Sequence, residues 1–154
     1  MREPLGIGVA QPLFSWKIKQ GFQSRYRILV SSSREALLSG NADVWDSGPV
    51  RSGSTAVRYG GAALAPRSKY FWCVQNDFGT SEPSAFETAF LGDPMPQSCW
   101  IGMPLAYQGG TDLVRLDFSP QKKVRRARLY LAGLGCCRCY LNGDCLLYTS
   151  DAAD

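Results

Sequence analysis

The stretch that most constrains this chain is residues 64–90, LAPRSKYFWCVQNDFGTSEPSAFETAF. Within it Tyr70, Trp72 and Val74 alternate with Phe71, Cys73 and Gln75. A period of two puts the two sets on opposite faces of a strand, one of them against a core. Asp77-Phe78-Gly79 follows as a turn, with Gly79 free to take a positive φ. A second extended run, residues 85–90, lies at hairpin distance. Together they predict an antiparallel hairpin in a β-rich module, and they carry no chemistry of their own.

Ahead of that strand, Leu64-x-Pro66-x-Ser68-x-Tyr70 resembles the tyrosine corner of fibronectin type III-like sandwiches, in which a Tyr near the start of strand F bonds back to upstream backbone. Earlier in the chain, residues 13–19 alternate, with Phe14, Trp16 and Ile18 on one face and Ser15, Lys17 and Lys19 on the other. Gly21 breaks the pattern and Arg25–Ser31 resumes it, with Tyr26, Ile28 and Val30 inward and Arg25 and Arg27 outward. The short glycine-containing link predicts that these two strands are antiparallel neighbours. Ser32 stands three residues before Glu35, a capping-box spacing for one helical turn through Ala36, Leu37 and Leu38 that Gly40-Asn41 stops. Ser47-Gly48-Pro49 predicts a turn, residues 55–59 a short strand and Gly60-Gly61 a reversal. By Phe90 there are about six strands, close to the seven-stranded, roughly 100-residue sandwich plan.

Asp93-Pro94-Met95-Pro96 marks a boundary, because paired prolines cannot continue a central strand and stiffen a connection. The predicted fold class is therefore all-β. A fibronectin type III-like β-sandwich spans residues 1–93, and the opening strands of a second, incomplete β-sandwich span 94–144. Strand candidates in the second part are residues 99–101, 113–118, 127–131 and 139–141, with Asn142-Gly143 as a tight turn. Residues 145–154, CLLYTSDAAD, resemble an in-frame translation of a transposon-kit mosaic end and read-primer tail. That tail is set outside the fold, as a fusion scar would be, so no natural strand is expected to return after the turn.

Composition limits the chemistry. With 19% charged and 45% apolar residues the chain is globular. A net charge of +4 is too mild for a nucleic-acid partner. The basic run Lys122, Lys123, Arg125, Arg126 and Arg128 lacks interleaved aromatics and reads as a solvated loop and strand edge. The absence of histidine removes Ser-His-Asp and Cys-His nucleophile systems and histidine-ligated metals from this chain. Cys73 and Cys99 are isolated while Cys136, Cys137 and Cys139 crowd together, which favours reduced, buried thiols over a disulfide framework or a soft-metal site. The N-terminal MREPLGIGVAQPLFSW has no apolar run long enough for a signal peptide or membrane span, so a cytoplasmic location and no membrane partner are expected. Asp43, Asp46, Asp77, Glu82, Asp93 and Asp112 fall at strand ends and turns and read as solvated turn residues. Trp16 and Trp72 read as core, whereas Trp45 and Trp100, beside loops, are the candidates for a surface role. No catalytic, cofactor-binding or metal-binding residue is assigned, and no cofactor is expected.

The ordered motifs resemble the N-terminal region of bacterial α-L-rhamnosidases, glycoside hydrolases of the GH78 type. They run Pro4-Leu5-Gly6-Ile7, Pro12-x-Phe14-Ser15-Trp16, Tyr26-Arg27-Ile28-Leu29-Val30, Trp45-Asp46-Ser47-Gly48, Tyr70-x-Trp72-x-Val74 and Phe86-Glu87-Thr88. They continue through Trp100-Ile101-Gly102, Ala127-Arg128-Leu129-Tyr130, Gly133-Leu134-Gly135 and Tyr140-Leu141-Asn142-Gly143. The resemblance implies a fibronectin-like sandwich, a second and larger sandwich, and then an α/α barrel that carries catalysis. Its chemistry would be inverting release of terminal rhamnose by two carboxylates roughly 6.5–9.5 Å apart. Those carboxylates lie in the barrel, so none is carried over to this sequence. The implied partners are rhamnose-containing glycosides, through the missing catalytic domain, and that domain itself as an intramolecular packing partner. The chain departs from the family in starting almost on the Pro-Leu-Gly-Ile motif, which makes Met1 an internal start, and in placing cysteines where relatives have aromatics. Two other readings stay open: a carbohydrate-binding module, which needs an exposed aromatic pair, and a protein-interaction module, which needs an exposed apolar patch.

Overall fold

The computed structural model describes residues 3–19, 21–94, 98–102 and 112–149. Met95 and Pro96 of the proline boundary, and residues 150–154 of the tail, lie outside them. The chain divides into two compact units, one ending at Cys99 and the other starting at Trp100.

The first unit contains β1 (Leu13–Ser15), β2 (Arg25–Ser31), α1 (Arg34–Leu38), β3 (Trp45–Asp46), β4 (Val50–Arg51), β5 (Ala56–Arg58), β6 (Lys69–Asn76), β7 (Gly79–Thr80) and β8 (Ser84–Glu87). β2 and β6 form the antiparallel centre of the larger sheet, in register from Tyr26↔Asn76 to Ser31↔Phe71. β3 and β4 lie along the other edge of β2, and β7 and β8 along the far edge of β6. β1 pairs with β5 in a separate two-stranded sheet.

This overturns the expectation that β1 and β2 are neighbours. Both edges of β2 are occupied, one by β6 and the other by β3 and β4, so the link through Gly21 must carry the chain from one sheet to the other. The alternation that suggested pairing instead supplies facing inner surfaces. Phe14 from β1 meets Trp72 at 4.7 Å and Phe86 at 5.6 Å between ring centroids. Tyr26, Ile28, Val30, Tyr70, Val74 and Phe86 complete that core with Trp16, Tyr59 and Leu64. Full burial of one such side chain is worth about 1.5–3 kcal/mol, so the inter-sheet layer dominates the stability of this unit.

The opposite face of the larger sheet is covered too. Leu37 of α1 packs on Leu29 and Cys73, which explains why β2 and β6 are apolar on both faces. The helix cap is one residue later than the sequence spacing implied. Ser33, not Ser32, accepts from the Ala36 N–H, because the Ser32 hydroxyl donates to Asp43 instead. The tyrosine corner forms as expected, with the Ala65 N–H donating to the Tyr70 hydroxyl at 2.8 Å. The N-terminal segment closes the outer edge of β8. The Glu87 N–H donates to the Pro4 carbonyl, and Ile7 and Ala89 exchange bonds with the Glu87 carbonyl and Ile7 carbonyl respectively. Ile7 bridges Thr88 in parallel.

Among its described residues the second unit contains one hairpin, β9 (Cys137–Leu141) and β10 (Asp144–Thr149). Asn142 and Gly143 have φ of 50° and 91°, the two left-handed positions of a tight turn whose twist suits paired strands. A strand therefore does return after this turn, built almost wholly from the tail that the sequence reading set outside the fold. An Asn-Gly turn followed by Cys-Leu-Leu-Tyr-Thr closes a hairpin whatever DNA encodes it. Residues 99–101, 113–118 and 127–131 are not strands among the described residues. Alternation alone does not make a strand; a partner edge must satisfy the backbone, and without one Leu113 and Leu116 stay 90% and 81% exposed.

Candidate functional site

The acidic residues are turned into structural ties. Asp43 accepts from the Ser31 hydroxyl at 2.5 Å, the Ser32 hydroxyl at 2.6 Å and the Ser32 N–H at 2.9 Å, binding the end of β2 to the loop before β3. The serine hydroxyls hold its carboxyl below the usual aspartate range. Asp46 takes a two-pronged ion pair from Arg27 on the neighbouring strand and a bond from the Gly48 N–H. The Arg27 hydrogen bond lowers its pKa. Asp77 accepts from the Ser24 N–H at 2.5 Å, the Ser24 hydroxyl and Arg25, and these bonds lower its pKa, the Ser24 backbone bond most. A glycosidase acid needs a raised pKa; all three shift the other way. Asp93 pairs with Arg67 at 3.6 Å, and Glu82 is exposed.

Three of the four tryptophans lie as their positions imply, while Trp45, a candidate for a surface role, packs on the core. Trp16 and Trp72 are buried in the inter-sheet core. Trp45 is half-buried, against Phe14 and Tyr59 at 6.3 and 5.1 Å. Trp100, in the second unit, is 70% exposed. Gln23 fixes the crossing between the sheets. It is buried, accepts from Trp16 Nε1 at 3.0 Å and donates to the Ser54 carbonyl at 2.5 Å.

The surface aromatics of the first unit are Phe22 and Phe78, which sequence reasoning missed. Phe22 is 98% exposed and Phe78 59%. Both sit at one end of the sandwich, where Asp77 ties the 21–25 link to the β6–β7 turn. A Cβ on Gly21 would lie 3.3 Å from Phe78 Cζ, and Gly21 has a φ of +78°, so only glycine allows this contact. The available signals were Gly21 before Phe22 and the placement of Phe78 in a two-residue turn, where a side chain has no strand face to join. Beside Phe78 runs an open cleft of about 1190 Å³ between residues 15–19 and the 74–82 hairpin, lined by Trp16, Lys17, Lys19, Asn76, Phe78 and Glu82 among others.

The cysteines do not form a site. Cys73 is buried, and burial raises its pKa and leaves it a small apolar residue. Cys136 and Cys139 stand at C-x-x-C spacing, but no cluster of three potential metal ligands exists among the described residues. Cys136 is exposed and Cys137 and Cys139 half-buried, so the expected burial of this group does not hold. The basic residues from Lys122 to Arg128 are exposed. No helix among the described residues is long and apolar enough to cross a membrane.

Residues 1–92 match the sequence model of the Rha78A-like N-terminal immunoglobulin domain. An α-L-rhamnosidase of Alteromonas sp. (strain LOR) is 35% identical over 91% of this chain and 17% of its own length. One from Streptomyces avermitilis is 39% identical over 68% of this chain and 11% of its own length. Among solved structures, the α-L-rhamnosidase from Dictyoglumus thermophilum aligns with a TM-score of 0.55 at 34% identity, covering 59% of this chain and 11% of that one. The Streptomyces avermitilis α-L-rhamnosidase complexed with L-rhamnose aligns with a TM-score of 0.53 at 38% identity, covering 60% and 10%. The chain thus spans less than a fifth of the length of the curated relatives it matches.

Proposed function

The chain belongs to the Rha78A-like N-terminal immunoglobulin-domain family, and from this premise we infer that it serves an α-L-rhamnosidase as its N-terminal accessory module. The immunoglobulin-like unit is non-catalytic. The observation that carries the reading is the match at 35% identity over 91% of the chain to the opening part of a rhamnosidase. The tied-down carboxylates support it, since Asp43, Asp46 and Asp77 are committed to holding loops. Catalysis then belongs to a further domain of the polypeptide, acting on rhamnose-containing glycosides by two opposed carboxylates with inversion. In this reading residues 94–144 open a second sandwich that packs with that domain, residues 145–154 are adapter-derived, and the module's rigid faces position the catalytic domain and shape access to it.

The test is an assay on an aryl α-L-rhamnoside. The 154-residue chain should release no aglycone, and the polypeptide continued from its native gene should release rhamnose whose first-formed anomer is inverted by NMR. Turnover by the pure 154-residue chain would refute the accessory role. An inactive complete polypeptide would refute the enzymatic assignment.

A further inference from the structure

We propose that the cleft beside Phe78 is a binding site for an acidic oligosaccharide. The proposal does not depend on the rhamnosidase reading.

Phe78 is held as a platform. Its ring lies against Gly21, its N–H donates to Asn76 Oδ1 at 2.9 Å, and its turn is tied through Asp77 to Ser24 and Arg25. Yet Phe78 remains 59% exposed, so the ring is fixed from one side and open on the other. A fixed aromatic surface costs a ligand little ordering entropy on stacking.

The rest of the cleft is polar. Lys17 and Lys19 are exposed, line the cleft, and form no ion pair among the described residues. Glu82, Thr55 and Thr80 line it as well. A pyranose ring has an apolar C–H face for an aromatic platform and hydroxyls for the polar groups. A uronate adds a carboxylate for the two ammonium groups. Small-ligand sites run to about 300–1,000 Å³, so an open cleft of about 1190 Å³ admits several sugar units. An acidic protein surface shares part of this chemistry, but concavity and side-chain donors around one fixed ring favour a glycan.

The experiment is affinity gel electrophoresis of the 154-residue chain through polygalacturonate, with fully methyl-esterified polygalacturonate as the neutral counterpart. Trp16, on the cleft wall, reports binding independently by fluorescence. The chain should be retarded by the acidic polymer and much less by the ester. F78A should weaken binding at least about tenfold, and K17A/K19A should remove the preference for the acidic polymer. K122A/K123A should bind as the parent does, which separates the cleft from general attraction to a chain of net charge +4. Thermal melting of F78A close to that of the parent establishes that the variant folds. Absence of retardation of the parent would overturn the proposal and leave the exposed ring to a protein surface. Retardation unchanged in F78A, or lost in K122A/K123A, would overturn it equally.

Discussion

Gln23 shows how one polar side chain can decide a sandwich. It sits where the chain crosses between sheets and satisfies the Trp16 indole and the Ser54 carbonyl at once. Gln23→Leu keeps the bulk but leaves the buried Trp16 N–H without its acceptor. A stranded buried donor costs about 1–3 kcal/mol, so the urea midpoint should fall by that equivalent; an unchanged midpoint would mean that the lock contributes nothing. The aspartates give a second residue-scale test. Asp43, Asp46 and Asp77 all have pKa values below their ordinary 3.8 when folded. A carboxylate favoured by the fold contributes stability that is fully present above its unfolded pKa and lost as pH falls through its folded one. Melting temperature should therefore hold level from neutral pH to about 5 and drop below about 4. In Asp43→Asn it should be lower at neutral pH and fall less steeply in acid; parallel curves for parent and variant would exclude Asp43 from the acid limb.

At the scale of elements, local features were legible and non-local ones were not. Tyr70 could be placed in its corner because its partner, Ala65, is five residues away and Leu64-Ala65-Pro66 fixes the approach. The alternation of β2 and β6 was equally plain. The partner of β1 was hidden, because it lies beyond β2, α1, β3 and β4 in sequence, and nothing in residues 13–15 encodes residues 56–58. Ser33 displaced Ser32 as cap because Asp43, eleven residues beyond Ser32, claimed the Ser32 hydroxyl. Phe22 and Phe78 were missed because an apolar residue reads as core by default, and only the fold shows which ones lack a face to join. The N-terminal segment shows no such alternation, yet it shields β8. Removing residues 1–8 would expose that edge and lose three backbone bonds. At about 0.5–1.5 kcal/mol each, the loss is about 2–4 kcal/mol, and a bare edge also invites strand pairing between molecules. The truncated chain should melt lower and sediment as larger species at high concentration. If it remained as stable and monomeric as the parent, the segment would be mere decoration.

For the whole molecule, the decisive contrast is between the two units. The first has an aromatic inter-sheet layer, a helix over the other face of its main sheet and charged ties at its loops. The second has one hairpin among its described residues, while Leu113, Leu116, Phe118, Leu129 and Leu134 are each more than 60% exposed. A segment with so little buried surface opens locally at far lower cost than the cooperative core. Trypsin reads this difference directly, since Lys122, Lys123, Arg125 and Arg126 are exposed in the second unit and no Lys or Arg lies between Lys69 and Arg115. Cleavage in the second unit should run at least about tenfold faster than cleavage within the first, leaving a resistant product that ends at Arg115 and keeps the near-ultraviolet signal of Trp16 and Trp72. Polar variants of the second unit, such as Leu113→Ser, should not alter the lifetime of that product, because its stability resides in the sandwich. Equal cleavage rates across the chain, or loss of the tryptophan signal on trimming, would mean that the two units hold each other up and that the first is no independent scaffold.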